Sequence, residues 1–418
     1  MLKLPEPRKT VLQSGATLLY QKNPVGPSIA FGVWINGGSR GERSGERGLS
    51  HFVEHMVFRG TRGLSSVDIA FKLESIGGQW DAFTGKESTC YHAKVLEEHF
   101  ADLVDVFSQI VLYPTFPQES FKLEKRIIQE EIASIKESPE ELAHELFFET
   151  ILEGHPLSHP VTGYMKDVVR YGREDLVRFH RRHYTGRNML IGFVGNLPFA
   201  KVERVLNEKF RLRGNRRAVS DGFTPTPKGR VRSRRVNETR QSHVCIGSIT
   251  VPASHPDRYA LVVLSNLLGG GVTSRLFQAL RERSGLAYSV FSTASFWKDT
   301  GVLCSYFSVD SKNLPRALEI FHREVAEVSV GNFSEEELQS AIAQIKGSVV
   351  FGIESVESRL FRLFQSEFYH GRYIYPGEVI REIEKVSTER IVDVARLYLD
   401  PGKFTYTTCG PVSLRGLV

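Results

Sequence analysis

The sequence is poor in cysteine and lacks any long hydrophobic run. Its 418 residues contain four cysteines, which are widely scattered and form no C-x-x-C pair. This spacing argues against a disulfide framework or a thiolate zinc site, and it fits a reducing compartment or simple use of the cysteines in the core. Because no stretch of 18 apolar residues occurs, we expect neither a membrane-spanning helix nor a membrane partner.

The amino terminus of this sequence does not predict a secretory signal. Residues 1–9 have no apolar segment of the secretory type, so we expect a soluble, cytoplasmic protein. With 41% apolar and 24% charged residues the chain is globular. Its length exceeds that of one ordinary domain and suits two domains of about 200 residues each.

Negative charge is scarce in one stretch of the chain. Between Lys209 and Arg240 there are eleven Lys or Arg residues and two Asp or Glu residues. Prolines and glycines interrupt this run, which predicts a basic interdomain linker over residues 219–238. RNA binding is an alternative for such a run, but solvated charge on a linker is more common, and we expect no nucleic-acid partner.

The segment that carries the chemistry is 48–61. It predicts a short amphipathic helix with Ser50 as its N-cap. His51 and His55 lie one turn apart, so both imidazoles project from one face, and Glu54 shares that face. Two such imidazoles offer nitrogens to a tetrahedral zinc ion, and the carboxylate can accept a proton from water. The order H-x-x-E-H is the inverzincin signature, and two ordinary surface histidines are the alternative.

A third ligand has to come from elsewhere in the chain. A long helix is predicted from about Phe116 to about Lys136, with a buried stripe of isoleucines. Glu131 falls inside this stripe, Glu130 lies on the wetter side, and Glu124 lies two turns before Glu131 on nearly the same face. A carboxylate on an apolar stripe is costly unless it is paired or bound to a metal. Salt bridges to neighbouring basic residues are the alternative.

The second half of the chain repeats the pattern of the first. The segment 116–119 is echoed at 333–336, and the segment 173–195 is echoed at 388–410. These echoes predict an α+β fold with a duplicated two-domain organisation, in which each half is a mainly antiparallel β-sheet with packed helices. Within the first half, the alternation of apolar residues over 29–35 predicts a half-buried strand.

The domain boundaries follow from the linker and the repeat. We expect a catalytic zinc-binding domain at 1–218 and a homologous non-catalytic domain at 239–418 that contributes to substrate binding. The second domain lacks an H-x-x-E-H sequence, and Ala341 and Ser348 stand where the repeat aligns with Glu124 and Glu131. Only the first half is therefore expected to hold the metal.

These residues carry a resemblance to a known family. The chain resembles the pitrilysin/insulysin zinc peptidases, most closely the half-length bacterial members that are similar to the mitochondrial processing peptidase subunits. In that family a glutamate ligand follows H-x-x-E-H some 75 residues later, and 75 residues separate His55 from Glu131 here. The resemblance implies that His51, His55 and Glu131 bind Zn²⁺. It also implies that Glu54 is the general base that activates the zinc-bound water and that Glu124 is a carboxylate behind the ligands.

Two further segments match the family. The segment 280–288 resembles the one whose arginine and tyrosine reach the bound peptide, which implies this role for Arg281 and Tyr288. The segment 77–84 resembles the family's edge strand, which pairs with the substrate backbone by β-augmentation. The expected contact residues of this strand are Asp81, Ala82 and Phe83. Many members have asparagine in place of Asp81, and an ionised aspartate accepts hydrogen bonds but does not donate them.

The resemblance implies a zinc metalloendopeptidase of the EC 3.4.24 type that hydrolyses peptides or unfolded polypeptides. The alternative is a catalytically silent scaffold or binding subunit of a heteromeric peptidase complex, because relatives without the zinc site have that role. Larger relatives enclose a chamber with two such chains fused together. The resemblance therefore also implies a homodimer, or a heterodimer with a homologous subunit.

Overall fold

The computed structural model describes residues 4–211, 229–236, 239–414 and 416–417, which form two β-sheets and their covering helices. The strands are β1 (Arg8–Val11), β2 (Thr17–Lys22), β3 (Ser28–Asn36), β4 (Gln79–Thr84), β5 (Ser88–Leu96), β6 (Met189–Gly195), β7 (Arg230–Arg235), β8 (Gln241–Thr250), β9 (Ala287–Phe296), β10 (Gly301–Asp310) and β11 (Thr405–Gly410). The helices are α1 (Leu49–Val57), α2 (Ser66–Ser75), α3 (Phe100–Leu112), α4 (Gln118–Glu137), α5 (Pro139–Ile151), α6 (Met165–Val168), α7 (Arg173–His183), α8 (Phe199–Lys209), α9 (Arg258–Gly269), α10 (Arg275–Phe277), α11 (Leu314–Ser329), α12 (Glu335–Glu354), α13 (Val356–His370), α14 (Pro376–Glu384) and α15 (Thr388–Tyr398). In this described part of the chain, no helix combines the length and the apolar character needed to cross a bilayer.

The first sheet has six strands in the order β1-β2-β6-β3-β5-β4, and its described pairs are antiparallel apart from β2 with β6. Strand β3 has buried residues on both faces. Phe31 belongs to the core that α1 and α3 complete on one face, whereas Trp34 packs on the other face with Leu360 and Phe364 of α13. The expectation of a half-buried strand is therefore wrong, because helices cover both of its faces.

The second sheet has five strands in the order β7-β11-β8-β10-β9, with β7 and β11 parallel. Strand β7 lies inside the segment 219–238 that was expected to be a linker. Its arginine-rich sequence suits an edge strand, where long charged side chains reach solvent and discourage further pairing. The linker prediction is therefore wrong for 230–235, and its parts at 219–228 and 237–238 lie outside the described residues.

The two sheets repeat one topology. Strands β2, β6, β3, β5 and β4 of the first sheet correspond in order to β7, β11, β8, β10 and β9 of the second, and in each sheet the first two of these are parallel. Helices α4 and α12 are both 20 residues long and begin 217 residues apart. The predicted α+β fold with a duplicated unit is confirmed.

The chain divides into two compact units that exchange helices. The first unit is Met1–Ala133, His159–Asp221 and Gly352–Ile374, and the second is Ser134–Ser158, Gly222–Phe351 and Tyr375–Val418. Helix α5 therefore packs on the second sheet, and α13 packs on the first. These units differ from the expected contiguous domains 1–218 and 239–418 by those two segments, because each sheet has an apolar outer face that the helix completes.

Candidate metal centre

The helix that carries both motif histidines is α1, in the first unit. Its N-cap is Gly48, with φ of 90°, and Ser50 lies inside the first turn. A Cβ atom at Gly48 would lie 2.5 Å from the carbonyl oxygen of Thr162, so only glycine fits there. The Ser50 hydroxyl instead donates to the carbonyl oxygen of Gly38, 2.8 Å away. The prediction of Ser50 as the N-cap is wrong.

A buried carboxylate upstream caps this helix in place of Ser50. Glu42 accepts hydrogen bonds from the backbone N–H groups of Gly48 (2.9 Å) and Ser50 (2.8 Å). Both groups would otherwise be unpaired at the helix terminus, where the helix dipole also favours an acidic group. Burial raises the pKa of Glu42 to about 8, against the lowering effect of the hydrogen bonds from Ser50 and Gly48. Sequence reasoning missed Glu42 because it acts across a loop.

Replacing Glu42 with glutamine should flatten part of the pH dependence of stability. Since the folded-state pKa lies above the ordinary value of 4.5, the contribution of Glu42 is complete below that value and is lost as the pH rises through about 8. The free energy of unfolding of the wild type should therefore fall relative to Glu42→Gln over this range. Urea denaturation at several pH values, in the presence of chelator, measures it.

The matched control for this experiment is Glu208→Gln, because Glu208 is an exposed glutamate on α8. The free energy of unfolding of Glu208→Gln should follow that of the wild type at every pH. Parallel profiles for the wild type and Glu42→Gln would show that Glu42 titrates alike in the folded and unfolded chain.

Three donor groups converge where α1 meets α4. The Nε2 atoms of His51 and His55 are 3.2 Å apart, and the Glu131 carboxylate oxygens lie 3.8 Å from Nε2 of His51 and 3.9 Å from Nε2 of His55. A tetrahedral zinc ion with bonds of 2.0–2.2 Å needs donors roughly 3.3–3.6 Å apart. The donor atoms therefore need to shift by only a few tenths of an ångström to hold such an ion.

Two buried polar atoms of this group also lack partners. Among the described residues, Nδ1 of His51 and Oε2 of Glu131 are buried without a hydrogen bond. Burial, together with the neighbouring His55, lowers the pKa of His51 to about 3, so its imidazole is neutral at physiological pH. A neutral imidazole and a carboxylate with a free oxygen are the donor states that zinc requires, so the residues fit a zinc ion.

Glu124 orients the second histidine from behind. Its carboxylate is fully buried, lies 3.0 Å from Nδ1 of His55, and is paired with Arg59 at 2.6 Å. Burial lowers the pKa of His55, but the contact with Glu124 and the nearby Glu131 outweigh it and raise this pKa overall. The Nδ1–H donates to Glu124, which leaves Nε2 free to bind a metal. Sequence reasoning missed Arg59, although it follows the motif on the next turn.

Glu54 lies beside the donor group and does not join it. The Thr84 hydroxyl donates to Oε2 of Glu54 at 2.8 Å, and burial raises the pKa of Glu54. Because Thr84 ends strand β4, this bond ties the carboxylate to the edge of the first sheet. The arrangement joins three metal donors, a proton acceptor and an exposed strand in a single unit.

Comparisons with known proteins identify the family of this chain. The family model described as insulinase (peptidase family M16) matches residues 17–164, and the one described as the peptidase M16 inactive domain matches 170–345. An uncharacterized zinc protease of Bacillus subtilis is 33% identical over 389 residues, covering 93% of this chain and 95% of its own. The chain belongs to peptidase family M16. The predicted membership of the insulysin peptidases is confirmed.

Other M16-like proteins extend the comparison. An uncharacterized zinc protease of Rickettsia felis is 29% identical over 406 residues, covering 97% of this chain and 98% of its own. The fold matches a peptidase M16 inactive domain from Pseudomonas fluorescens (TM-score 0.90, 20% identity, 97% of this chain and 98% of that one). It also matches a protease from Helicobacter pylori (TM-score 0.91, 21% identity, 98% of this chain and 100% of that one).

In this M16 chain the edge strand borders a cleft beside Glu54. Strand β4 is the last strand of its sheet and pairs with β5. Asp81 is exposed and its Oδ1 accepts the N–H of Ala82, 2.8 Å away. Phe83 packs against Trp34 and Phe361.

The cleft has a volume of about 290 Å³. It is lined by Glu54, His55, Phe58, Arg59, Ser66, Ile69, Ala70, Trp80, Asp81, Ala82 and Glu124.

The two predicted peptide contacts of the second M16 unit lie next to each other. Arg281 donates to the carbonyl oxygen of Tyr288 at 2.6 Å, and its guanidinium lies over the rings of Phe277 and Tyr288. Tyr288 is 73% exposed. Arg281 sits in a π-helical turn, Gln278–Glu282, that continues α10. The contact of these residues with a bound peptide stays a prediction.

Proposed function

We propose that this chain is a zinc-dependent endopeptidase that cleaves peptides or unfolded polypeptides, with His51, His55 and Glu131 as the zinc ligands. The observation that carries the proposal is the convergence of these three side chains, contributed by two helices, next to the half-buried carboxylate of Glu54. Bound zinc supplies a Lewis acid that polarises the scissile carbonyl and promotes ionisation of water. The four free cysteines, all buried, support a cytoplasmic location.

Glu54 moves the protons of the reaction in this proposal. Its carboxylate accepts a proton from the attacking water and returns it to the leaving amine. The hydrogen bond from Thr84 holds one carboxylate oxygen and leaves the other for this transfer. Because burial raises the pKa of Glu54, its carboxylate is a stronger base towards the proton that it accepts.

The substrate binds as an added strand on the outer edge of β4 in this proposal. Because β4 is the edge of the first sheet, alternate residues of this strand, Ala82 among them, direct their backbone groups away from β5, and Phe83 is its neighbour on the ladder side. Asp81 accepts the N–H of Ala82, so a peptide that pairs with this residue through its N–H has to displace that hydrogen bond. Arg281 and Tyr288 are proposed to contact the peptide and assist the developing oxyanion.

Peptide-library cleavage with and without chelator tests the proposal. We expect hydrolysis within peptide chains that a chelator abolishes and that one equivalent of Zn²⁺ restores. A protein that binds one zinc ion but cleaves no peptide would fit the alternative of a scaffold or binding subunit. Cleavage that is insensitive to chelator would refute the zinc mechanism.

The cleft beside Glu54 predicts a preference for a large apolar side chain next to the scissile bond. Its wall includes Phe58, Ile69 and Trp80, and the small residue Ala70 leaves room between them. Filling this room by Ala70→Phe should lower kcat/KM for substrates with a large apolar residue by about 10- to 100-fold. Substrates with a small residue at that position should lose much less.

The control for the cleft is Val67→Phe, on the same helix but 74% exposed. It adds a phenyl ring to α2 outside the cleft and should leave the specificity profile unchanged. Equal losses for large and small side chains in Ala70→Phe would show that this cleft does not select the substrate.

We also propose that the chain works as a homodimer or as a heterodimer with a homologous subunit. The resemblance to larger relatives in which two such chains are fused supports this assembly. Sedimentation equilibrium at micromolar concentration tests it, and a purely monomeric profile, alone and with the homologous subunit added, would contradict it.

A further inference from the structure

A second group of metal-binding side chains lies in the second unit. It consists of His144 on α5, Cys245 on β8 and Cys304 on β10. Strands β8 and β10 are antiparallel neighbours, and Cys245 is paired with Tyr306 while Cys304 is paired with Gly247. The two cysteines are therefore diagonal neighbours on one face of the sheet, the face that α5 covers.

The donor atoms of this group are close together and shielded from solvent. All three lie within 4.8 Å of one another, and Nδ1 of His144 is 3.8 Å from Sγ of Cys245. Both cysteines are buried and His144 is half-buried. The three atoms come from three different elements, so the fold and not the local sequence assembles them.

A disulfide does not explain this arrangement. Both cysteines are free. Diagonal positions on antiparallel strands have Cα atoms roughly 7–8 Å apart, which exceeds the 4.4–6.8 Å that most disulfides span. The sulfur atoms are thus close enough to share an ion while the backbones are too far apart to be bridged directly.

We propose that His144, Cys245 and Cys304 form a second metal site that takes Cu(I), the soft monovalent ion. Two thiolates and one imidazole are soft donors, which select Cu(I) or Zn(II) over harder ions. Structural zinc is tetrahedral and takes four protein ligands, whereas within the described residues this group supplies three. Because no fourth side chain of the described residues joins the group, a three-coordinate ion fits best.

Binding changes both the proton balance and the packing of this unit. One Cu(I) ion replaces the protons of two thiols, so two protons are released per ion and no electron is transferred. The ion links α5 to strands β8 and β10. Since an ion that binds the folded chain stabilises it by mass action, we expect Cu(I) to raise the unfolding temperature.

The test uses the full chain with Glu131→Gln, so that the proposed catalytic centre does not compete for metal. Anaerobic titration against a chromogenic Cu(I) chelator should show one ion bound per chain. X-ray absorption should show two sulfur neighbours and one nitrogen neighbour. Adding Cys245→Ser, Cys304→Ser or His144→Gln should lower the affinity for Cu(I) by roughly 100-fold or more. This exceeds the loss that is typical when a residue hydrogen-bonded to a metal ligand is replaced.

Cys409→Ser is the matched control for this site. Cys409 is buried against the same helix-covered face of the sheet but is not a member of the group. It should retain the affinity for Cu(I) and the rise in unfolding temperature. If a serine variant does not fold, the X-ray absorption spectrum of the Glu131→Gln protein still shows whether two sulfurs and one nitrogen bind the ion. The proposal would be overturned if the protein did not bind Cu(I), or if X-ray absorption showed fewer than two sulfur neighbours around the bound ion. It would also be overturned if Cys409→Ser lost as much Cu(I) affinity as the variants of the site, or if the site preferred Zn²⁺.

Discussion

Replacing Glu54 with glutamine should lower kcat/KM for peptide cleavage by about 100- to 10,000-fold, the usual contribution of a general acid–base group. Glutamine keeps the shape of the side chain and still accepts the hydrogen bond from Thr84 through its carbonyl oxygen. It cannot take a proton from water, so the chemical step fails while the structure remains. The loss corresponds to about 3–5 kcal/mol of transition-state stabilisation.

Metal content separates this effect from loss of the site. Glu54→Gln should keep one zinc ion per chain, because Glu54 is not among the three converging donors. The control is Glu74→Gln, which alters an exposed glutamate on α2 and should leave both activity and zinc unchanged. Full activity in Glu54→Gln would remove Glu54 from the mechanism.

Replacing Glu131 with glutamine should remove both zinc and activity. An amide is a far weaker zinc donor than a carboxylate, and the two histidines alone leave the ion with two protein ligands. Mutation of a residue that only hydrogen-bonds to a metal ligand typically lowers metal affinity 10- to 100-fold. We therefore expect the loss of this ligand itself to lower the affinity for zinc by more than about 100-fold. Competition with a zinc chelator, measured beside peptide hydrolysis, gives both quantities.

The neighbouring residue provides the control for Glu131. Glu130 is exposed, lies on the same turn of α4 as Glu131, and is not a member of the donor group. Glu130→Gln should bind zinc and cleave peptides as the wild type does. If Glu130→Gln lost zinc and Glu131→Gln kept it, the assignment of the third ligand would be wrong.

The parts of this molecule that the sequence predicts depend on patterns within one element. The H-x-x-E-H spacing places His51 and His55 on one face of α1, and the isoleucine stripe of α4 marks Glu131 as an acidic residue on the inner face. The repeat predicts two related sheets. Each inference uses residues a few positions apart, where the period of a helix or strand fixes the geometry.

The parts that the sequence does not predict depend on contacts between distant segments. Glu42 caps α1 across a loop, and Ser50, the apparent N-cap, turns its hydroxyl to Gly38 instead. The absence of a C-x-x-C pair argued against a thiolate metal site, yet pairing of β8 with β10 places Cys245 beside Cys304. Cross-strand neighbours leave no mark on local spacing, so only the fold reveals them.

The exchange of α5 and α13 is a further feature that the sequence does not predict, because the prediction took each domain as one contiguous segment. Each helix follows its long predecessor, α4 or α12, and then covers the sheet built from the other half of the chain. Both helices bury apolar residues on that sheet, such as Phe147 of α5 and Phe364 of α13. The preference of one sheet over another is a packing property of the assembled unit and not of the helix sequence.

The most direct measurement of the central claim is an anomalous difference map at the zinc edge from crystals of metal-replete protein. We expect one strong peak about 2.0–2.2 Å from Nε2 of His51, from Nε2 of His55 and from a carboxylate oxygen of Glu131. A map without a peak at that point, or a Glu131 side chain directed away from both histidines, would contradict it.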